Sequence, residues 1–458
     1  METVVPFRAW RYARSAGELA RLVAPPYDII GPELQSRLYA RSRHNVARVD
    51  RGMTTPSDNE CDNQYTRAAA QLEQWKENGI LVRDAVPSIT FVEESFTGPD
   101  GRARIRHGFL ALFRLSGFDE GVVFPHEQTL PGPKEDRYRL LTATTMNLSP
   151  VFLLYELPGD EITAAWKTGP GAQPPAATVT DDEGTITKLW PTCDPVLLET
   201  VRNDLAAARF VIADGHHRYE TALRYKKHYL FEGDRGLETR ASADDLGPPE
   251  RPLASDYLLA YLSNMADPGL AIYGTHRLII GLDPQTVATL PQSLTDAFAV
   301  ERLTVGDTTT AADARAAITA YLQDHPRGAF GLWGRALDGA YGFRLADPEA
   351  ARAAAPSHSA AYQELDVTIL QALVLEQVLG ITPSDMAAET RVTFFKDPET
   401  AFDRLEAGEF QAGFFVNPTG LDQIREVALG GERMPQKATF FYPKLPTGLV
   451  FHDLSSTL

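Results

Sequence analysis

Apolar positions recur along this chain in two periods, and they alternate in blocks. Ile89 to Phe96 and His107 to Phe113 read as strands, joined across Gly98-Pro99-Asp100-Gly101, a hairpin turn. Asn63 to Asn78 carries Tyr65, Ala69, Leu72 and Trp75 at helical spacing and closes on Gly79. Short apolar runs predict further strands at Val122–Phe124, Val151–Glu156, Phe210–Ala213, Tyr257–Leu262 and Ala271–Leu278. Helices are expected after Gly31-Pro32, from about Lys134 to Met146, from Val196 to Ala208, and after Gly215 as far as about Tyr229. Residues 167–186 predict a loop or exposed hairpin, and the polar, acidic segment Glu232 to Pro252 a mobile loop or lid.

Beyond Gly281 the pattern predicts helices at about 284–298, 309–323, 361–379 and 420–429, with strands near 328–334, 340–345, 391–395 and 412–416. The tail from Met434 to Lys444 ends in an aromatic strand. The expected class is α+β. The expected spans are an N-terminal α+β region at 1–120, a core at 121–280, and a mixed α+β C-terminal domain at 281–458.

Composition narrows the function classes. A chain of 458 residues exceeds a typical single core, and 43% hydrophobic with 23% charged residues is ordinary for a globular protein. The formal charge of −17 argues against broad binding to nucleic acid or to an anionic membrane surface. Cys61 and Cys193, the two cysteines, provide neither a disulfide framework nor a zinc spacing, which fits a reducing cytoplasm. No basic-then-apolar leader opens the chain and no apolar run approaches a bilayer's thickness, so a cytoplasmic protein is expected.

The chemistry concentrates at Asp214-Gly215-His216-His217-Arg218. An apolar strand, a glycine turn and a helix start together make an anion site, because the first helical N–H groups lack internal partners and the helix dipole is positive there. Two histidines and Arg218 add donors for phosphate. A capped helix with a polar surface is the structural alternative. A second stretch, His126-Glu127-Gln128-Thr129, follows a strand and precedes Lys134 and Arg137. Glu127 there suits a general base on a hydroxyl, and His126 an orienting group. Spacing alone serves a capped helix with a solvated charge cluster equally well. His276-Arg277 forms a further basic pair, explained as readily by strand packing as by phosphate contact, and Lys437 and Lys444 either reach back to an anion or are surface lysines around an aromatic edge strand. Asp28, on the rigid Pro25-Pro26 segment, is either a site residue or a structural cap. No P-loop, Rossmann fingerprint or nucleophile elbow is present.

Ala24-Pro25-Pro26-Tyr27-Asp28, Pro125-His126-Glu127-Gln128-Thr129, Asn147-Leu148-Ser149-Pro150, Ala213 to Arg218 and Met434-Pro435-Gln436-Lys437 together resemble the family called domain of unknown function 1015. Val211 to Tyr219 is similar to the nucleotide-site motif of free-serine kinases in the ParB/sulfiredoxin-like superfamily, and His126-Glu127 looks like their upstream His-Glu pair. That resemblance implies a ParB/sulfiredoxin-like core and a small-molecule kinase moving phosphate from ATP or ADP to a free amino acid hydroxyl, serine foremost. It implies Glu127, His126 and Asp214 as catalytic residues and Asp214, Gly215, His216, His217 and Arg218 as the nucleotide site. Thr129, Arg137, His276 and Arg277 are the expected substrate contacts, and Asp214 the expected Mg²⁺ ligand. A nucleotide-binding switch without transfer and a metal-dependent phosphatase or hydrolase are the competing readings. Nucleotide and a small-molecule substrate are the expected partners. The C-terminal half either completes the pocket or mediates a homodimer.

Overall fold

Alternation along Ile89–Thr97 and Ala103–Arg114 becomes an antiparallel hairpin at the centre of a nine-stranded mixed sheet in the computed structural model. The structure describes residues 2–129, 131–231, 252–304 and 309–455. From one edge the sheet runs Val123–Pro125, Phe210–Asp214, Val151–Tyr155, Tyr257–Asn264, Ala103–Arg114, Ile89–Thr97, Ile186–Thr192 and Ala177–Thr180, with Val4–Val5 added beside Ala103–Arg114. Phe210–Asp214 is parallel to Val123–Pro125 and antiparallel to Val151–Tyr155, so it lies between two strands that are apolar over most of their length. Such burial on both sides explains why its first four residues are uninterrupted apolar.

The chain divides into two compact units. The first comprises residues 1–125, 129–270 and 443–458, and the second residues 126–128 and 271–442. The expected 1–120 region and most of the 121–280 core thus fall in one unit, while 126–128 and 271–280 are grouped with the C-terminal one. The first unit's core holds Phe91, Phe109, Phe113, Phe210, Trp166 and Tyr219. Tyr219 is wholly buried, and its hydroxyl donates to the Ser116 carbonyl at 2.8 Å and accepts from the Ser116 N–H at 3.2 Å. One turn into the helix His216–Phe231, this anchor fixes where that helix begins. Burial of an aromatic ring contributes about 1.5–3 kcal/mol, enough to hold a helix start against fraying.

The second unit is built on an antiparallel sheet ordered Phe298–Arg302, Tyr341–Leu345, Ala329–Trp333, Ala412–Val416, His276–Ile279 and Val392–Phe395. A separate pair joins Ala271–Tyr273 to Phe440–Tyr442.

Several boundaries differ from the sequence pattern for local reasons. The run expected as one strand over Ala271–Leu278 is two strands in different sheets, broken at Gly274. A Cβ at Gly274 would meet the Val416 carbonyl oxygen at 2.5 Å, so the glycine permits a close backbone crossing. The helix expected to reach 298 ends at Ser293, and Phe298–Arg302 is a strand. The span 361–379 is divided into Ala360–Gln363, Asp366–Ile369 and the π-helix Leu370–Val378. The expected loop or exposed hairpin at 167–186 instead contains the strand Ala177–Thr180, which pairs with the largely buried Ile186–Thr192 that runs beyond it. The expected loop or lid from Glu232 falls outside the described residues up to Arg251. Among the described residues no helix is long and apolar enough to cross a membrane.

Candidate functional site

Strand Phe210–Asp214 delivers Asp214 to Gly215, whose φ of +90° turns the chain into the helix His216–Phe231. Only glycine adopts that turn without strain. Both Asp214 carboxylate oxygens are occupied by cations. Arg218 Nη2 approaches Oδ2 at 2.6 Å, and Lys444 Nζ pairs with Oδ1. The Arg218 Nη1 donates to the Pro150 carbonyl, while its buried Nε has no partner. Burial would raise the Asp214 carboxyl, but Lys444, Arg218 and His216 together hold it well below the usual carboxylate range. His216 is buried. His217 is half-buried and pushed below the usual histidine value by burial, with Glu220 opposing and Lys134 assisting.

Around this turn the first unit assembles a polar shell. Asn147, Ser149, Asp50, Arg137, Arg218 and Thr221 share the lining of a cavity of about 50 Å³. Arg137 is stacked 3.9 Å from the Tyr27 ring centroid. Its Nη1 donates to Asp50 Oδ1 at 2.9 Å, and its Nε and Nη2 donate to Asp136 at 2.8 and 2.6 Å. Burial pushes the Asp50 carboxyl up against the opposing pull of Arg137 and Arg218, and its Oδ2 is buried without a partner. Burial likewise pushes the Tyr27 hydroxyl up to about 12 despite Arg137. Glu220 accepts from the Thr129 hydroxyl at 2.8 Å and from Lys134 at 3.0 Å.

Glu127, His126, His276 and Arg277 belong to the second unit. Glu127 Oε1 accepts from the Lys437 N–H at 3.0 Å, and the His126 carbonyl accepts from the Met434 N–H at 2.7 Å. The His126 ring is buried, bonds Thr439 through Nε2 at 2.8 Å and meets Phe441 edge-on. His276 is buried against Phe415, its Nδ1 takes the Val416 N–H at 3.4 Å, and burial, with Arg277 adding, pushes its pKa down to about 3.

The motif residues thus sort by unit. Tyr27, the Asn147–Pro150 run and the Asp214–Arg218 turn gather in the first, with Thr129 and Arg137. His126-Glu127-Gln128 and Met434 to Lys437 gather in the second. Of the expected substrate contacts, Thr129 and Arg137 give their donors to the protein's own carboxylates, and His276 is packed as a neutral ring. Asp214 does not fit a directly bound Mg²⁺, because Lys444 and Arg218 already hold both of its oxygens. Among the described residues, no three His, Cys, Asp or Glu side chains converge as a metal site.

Sequence reasoning missed Asp50, Glu220, and the buried pair of Glu94 with Arg106. The pair had a signal. Glu94 falls on the inward parity between Val92 and Phe96, and Arg106 on that of Gly108 and Leu110. They are register partners, with Arg106 Nη2 at 2.6 Å from Glu94 Oε2. Arg106 also donates to the Pro443 carbonyl at 2.8 Å, one residue before Lys444.

Fold and site together define an α+β protein with a strand–glycine–helix turn whose carboxylate is bracketed by two cations. The chain belongs to the DUF1015 family, described as protein of unknown function, matched over residues 4–368. No curated protein sequence matches it. Among solved structures it is similar to a free serine kinase mutant in complex with ADP, at 11% identity and TM-score 0.37, covering 76% of this chain and 91% of that one. It is also similar to a conserved hypothetical protein from Pyrococcus furiosus, at 14% identity and TM-score 0.34, covering 75% and 95%. A third is SbnI with C-terminal truncation from Staphylococcus aureus, at 9% identity and TM-score 0.32, covering 74% and 85%.

Proposed function

We propose that this protein is a small-molecule kinase that transfers phosphate from ATP or ADP to the hydroxyl of a free amino acid, serine foremost. The observation that carries the reading is the turn at Asp214–Arg218. There a 16-residue helix starts beside Lys444 and Arg218, both drawn up by one carboxylate. A nucleotide's terminal phosphates compete with Asp214 for those cations and take the helix N–H groups as further donors. Support also comes from the resemblance of Val211 to Tyr219 to a free-serine kinase nucleotide motif. On this reading the first unit is a ParB/sulfiredoxin-like nucleotide-site core.

In the reaction the acceptor hydroxyl oxygen attacks the terminal phosphorus, the bond to the bridging oxygen breaks, and the shortened nucleotide leaves. Glu127 takes the hydroxyl proton. Positioning and charge stabilisation supply most of the catalysis in such transfers, and here Lys444 and Arg218 would provide the charge. No step is routed through a metal at Asp214.

The test is phosphoryl transfer from ATP or ADP to a panel of free hydroxy amino acids, read by mass spectrometry, with Glu127→Gln alongside. A phosphorylated amino acid that disappears in the variant, with nucleotide still bound, is the expected result. Retained turnover would remove Glu127 as the base. Nucleotide binding without product would favour a switch, and no nucleotide binding would end the phosphate reading of Asp214–Arg218.

A further inference from the structure

Three arginines are buried among the described residues, and two have carboxylates to meet their charge. Arg106 pairs with Glu94, and Arg137 with Asp50 and Asp136. Arg277, on the strand His276–Ile279, is only 3% exposed yet has no ion-pair partner among the described residues. Its Nη1 donates to the Thr275 carbonyl, its Nη2 to the Lys437 carbonyl at 3.3 Å, and its guanidinium carbon lies 5.5 Å from the Phe394 ring centroid. Burial alone lowers its pKa, to about 10, so the cation is retained at neutral pH. A buried charge without a counter-charge is costly, which marks a place where an anion is gained on binding.

That place exists. Arg277 lines a cavity of about 100 Å³ with Gln128, Gln371 and Gln436, while Met386 and Phe394 supply an apolar wall, and the Gln371 Nε2 donates to Glu376 Oε1 at 2.9 Å. One cation among uncharged glutamines suits a single carboxylate carrying other uncharged polar groups. A phosphate dianion would find only half the charge it needs. Gln371 comes from the π-helix Leu370–Val378, a rare backbone form that recurs at functional sites. Lys437, at φ +57°, gives its N–H to Glu127 and its carbonyl to Arg277, so one residue ties the base candidate to the guanidinium. Gln128, the cavity's other wall, is the residue after Glu127.

We infer that the second unit grips the acceptor by its carboxylate, on Arg277, in the cavity walled by Gln128, Gln371 and Gln436. The acceptor is therefore a small hydroxy acid or amino acid rather than a sugar, an alcohol or a phosphorylated compound. Naming this ligand as the acceptor rests on the kinase reading; its binding does not.

The experiment measures ligand-induced thermal shift and calorimetric affinity with L-serine, glycerate, serinamide and inorganic phosphate on the full chain, beside the transfer assay. Wild type, Arg277→Met and Gln371→Leu are compared. Serine and glycerate should bind and serinamide should not. Arg277→Met should raise the dissociation constant and KM for serine at least about tenfold, the scale of one charge-assisted contact, with kcat less affected. Its unliganded melting temperature should hold or rise, because a buried uncompensated charge is gone. A purely structural Arg277 would instead give a lower melting temperature and unchanged serine affinity. Should Arg277→Met fail to fold, Gln371→Leu decides, and unchanged serine affinity there overturns the site. Serinamide or phosphate binding as well as serine also overturns it. Phosphoserine formed with unaltered KM in Arg277→Met sinks the site and leaves the kinase reading standing. Serine binding lost in that variant, with no phosphoserine from wild type, does the reverse.

Discussion

Lys444 reaches back 230 residues along the chain to form an ion pair with Asp214. The pair closes the candidate phosphate site with a cation that no local motif supplies. Lys444→Met should lower nucleotide affinity about 10- to 100-fold, from the roughly 1.5–3 kcal/mol of a charged hydrogen bond. Lys444→Arg should retain much of it. Lys444→Met should also let the Asp214 carboxyl rise toward the ordinary range, since Lys444 is the foremost group opposing burial there. Because a depressed carboxyl stabilises above its unfolded pKa and loses that stability as pH falls through its folded one, the variant's acid loss should be smaller and complete at higher pH. Isothermal titration and acid titration of stability check the two halves. Unchanged nucleotide affinity would remove Lys444 from the site.

Gly215 is the second handle. At φ +90°, a Cβ there would sit 3.0 Å from both Nε and Nη2 of Arg218. Gly215→Ala should cost about 1–3 kcal/mol of backbone strain and displace the guanidinium from Asp214 and Pro150. Nucleotide affinity should therefore fall further than Arg218→Lys alone would cause. Equal stability and affinity to wild type would show that the turn tolerates a side chain.

The turn itself was legible in the sequence because every part of it is local. Four apolar residues, a glycine and a helical run are contiguous, and the structure keeps that order. The anchor of Tyr219 on Ser116 and the pairing of Lys444 with Asp214 depend on contacts between residues more than 100 positions apart, which periodicity does not record. Arg137 looked like a presented cation because its carboxylates were not all visible. Asp136 is adjacent, but Asp50 arrives from 87 residues upstream. The strand break at Gly274 is hidden for another reason: its cause is the Val416 carbonyl, far along the chain. Arg277 reads in the sequence as one of a basic pair; both residues are buried, and the difference is that the His276 lone pair is spent on a backbone N–H while Arg277 has no carboxylate partner among the described residues.

Arg106 and Glu94 should behave as a unit. Both are fully buried, and Glu94 Oε1 already lacks a partner, so removing Arg106 leaves a carboxylate in the core. Burial pushes the Glu94 carboxyl up and Arg106 opposes it. Arg106→Met should destabilise by about 3–5 kcal/mol, and adding Glu94→Gln should recover part of this. Nucleotide affinity should fall in both variants, because the Pro443 carbonyl loses its donor and Lys444 follows it. Denaturant unfolding and calorimetry read the two effects separately. Full recovery of affinity in the double variant would show that Arg106 acts on stability alone.

His276 sets a pH dependence whose sign follows from its burial. Its folded pKa of about 3 lies below the ordinary 6.5, with Arg277 adding to the desolvation and Asp397 weakly opposing. Protonation is therefore easier in the unfolded chain. The associated stability is complete above about pH 6.5 and is lost as pH falls toward 3. One proton corresponds to about 1.4 kcal/mol per pH unit over that window. His452, pushed down to about 4 by burial, works in the same sense. Asp366 works in the opposite sense, since burial pushes its carboxyl up to about 6 and its contribution is lost as pH rises. The informative quantity is thus a difference between wild type and His276→Asn, in which the other groups cancel. Urea unfolding at pH 7, 6 and 5 should show the wild-type advantage shrinking by about 1.4 kcal/mol for each unit below 6.5. Parallel stability curves would mean that His276 is protonated equally in both states and that its packing against Phe415 admits the charged ring.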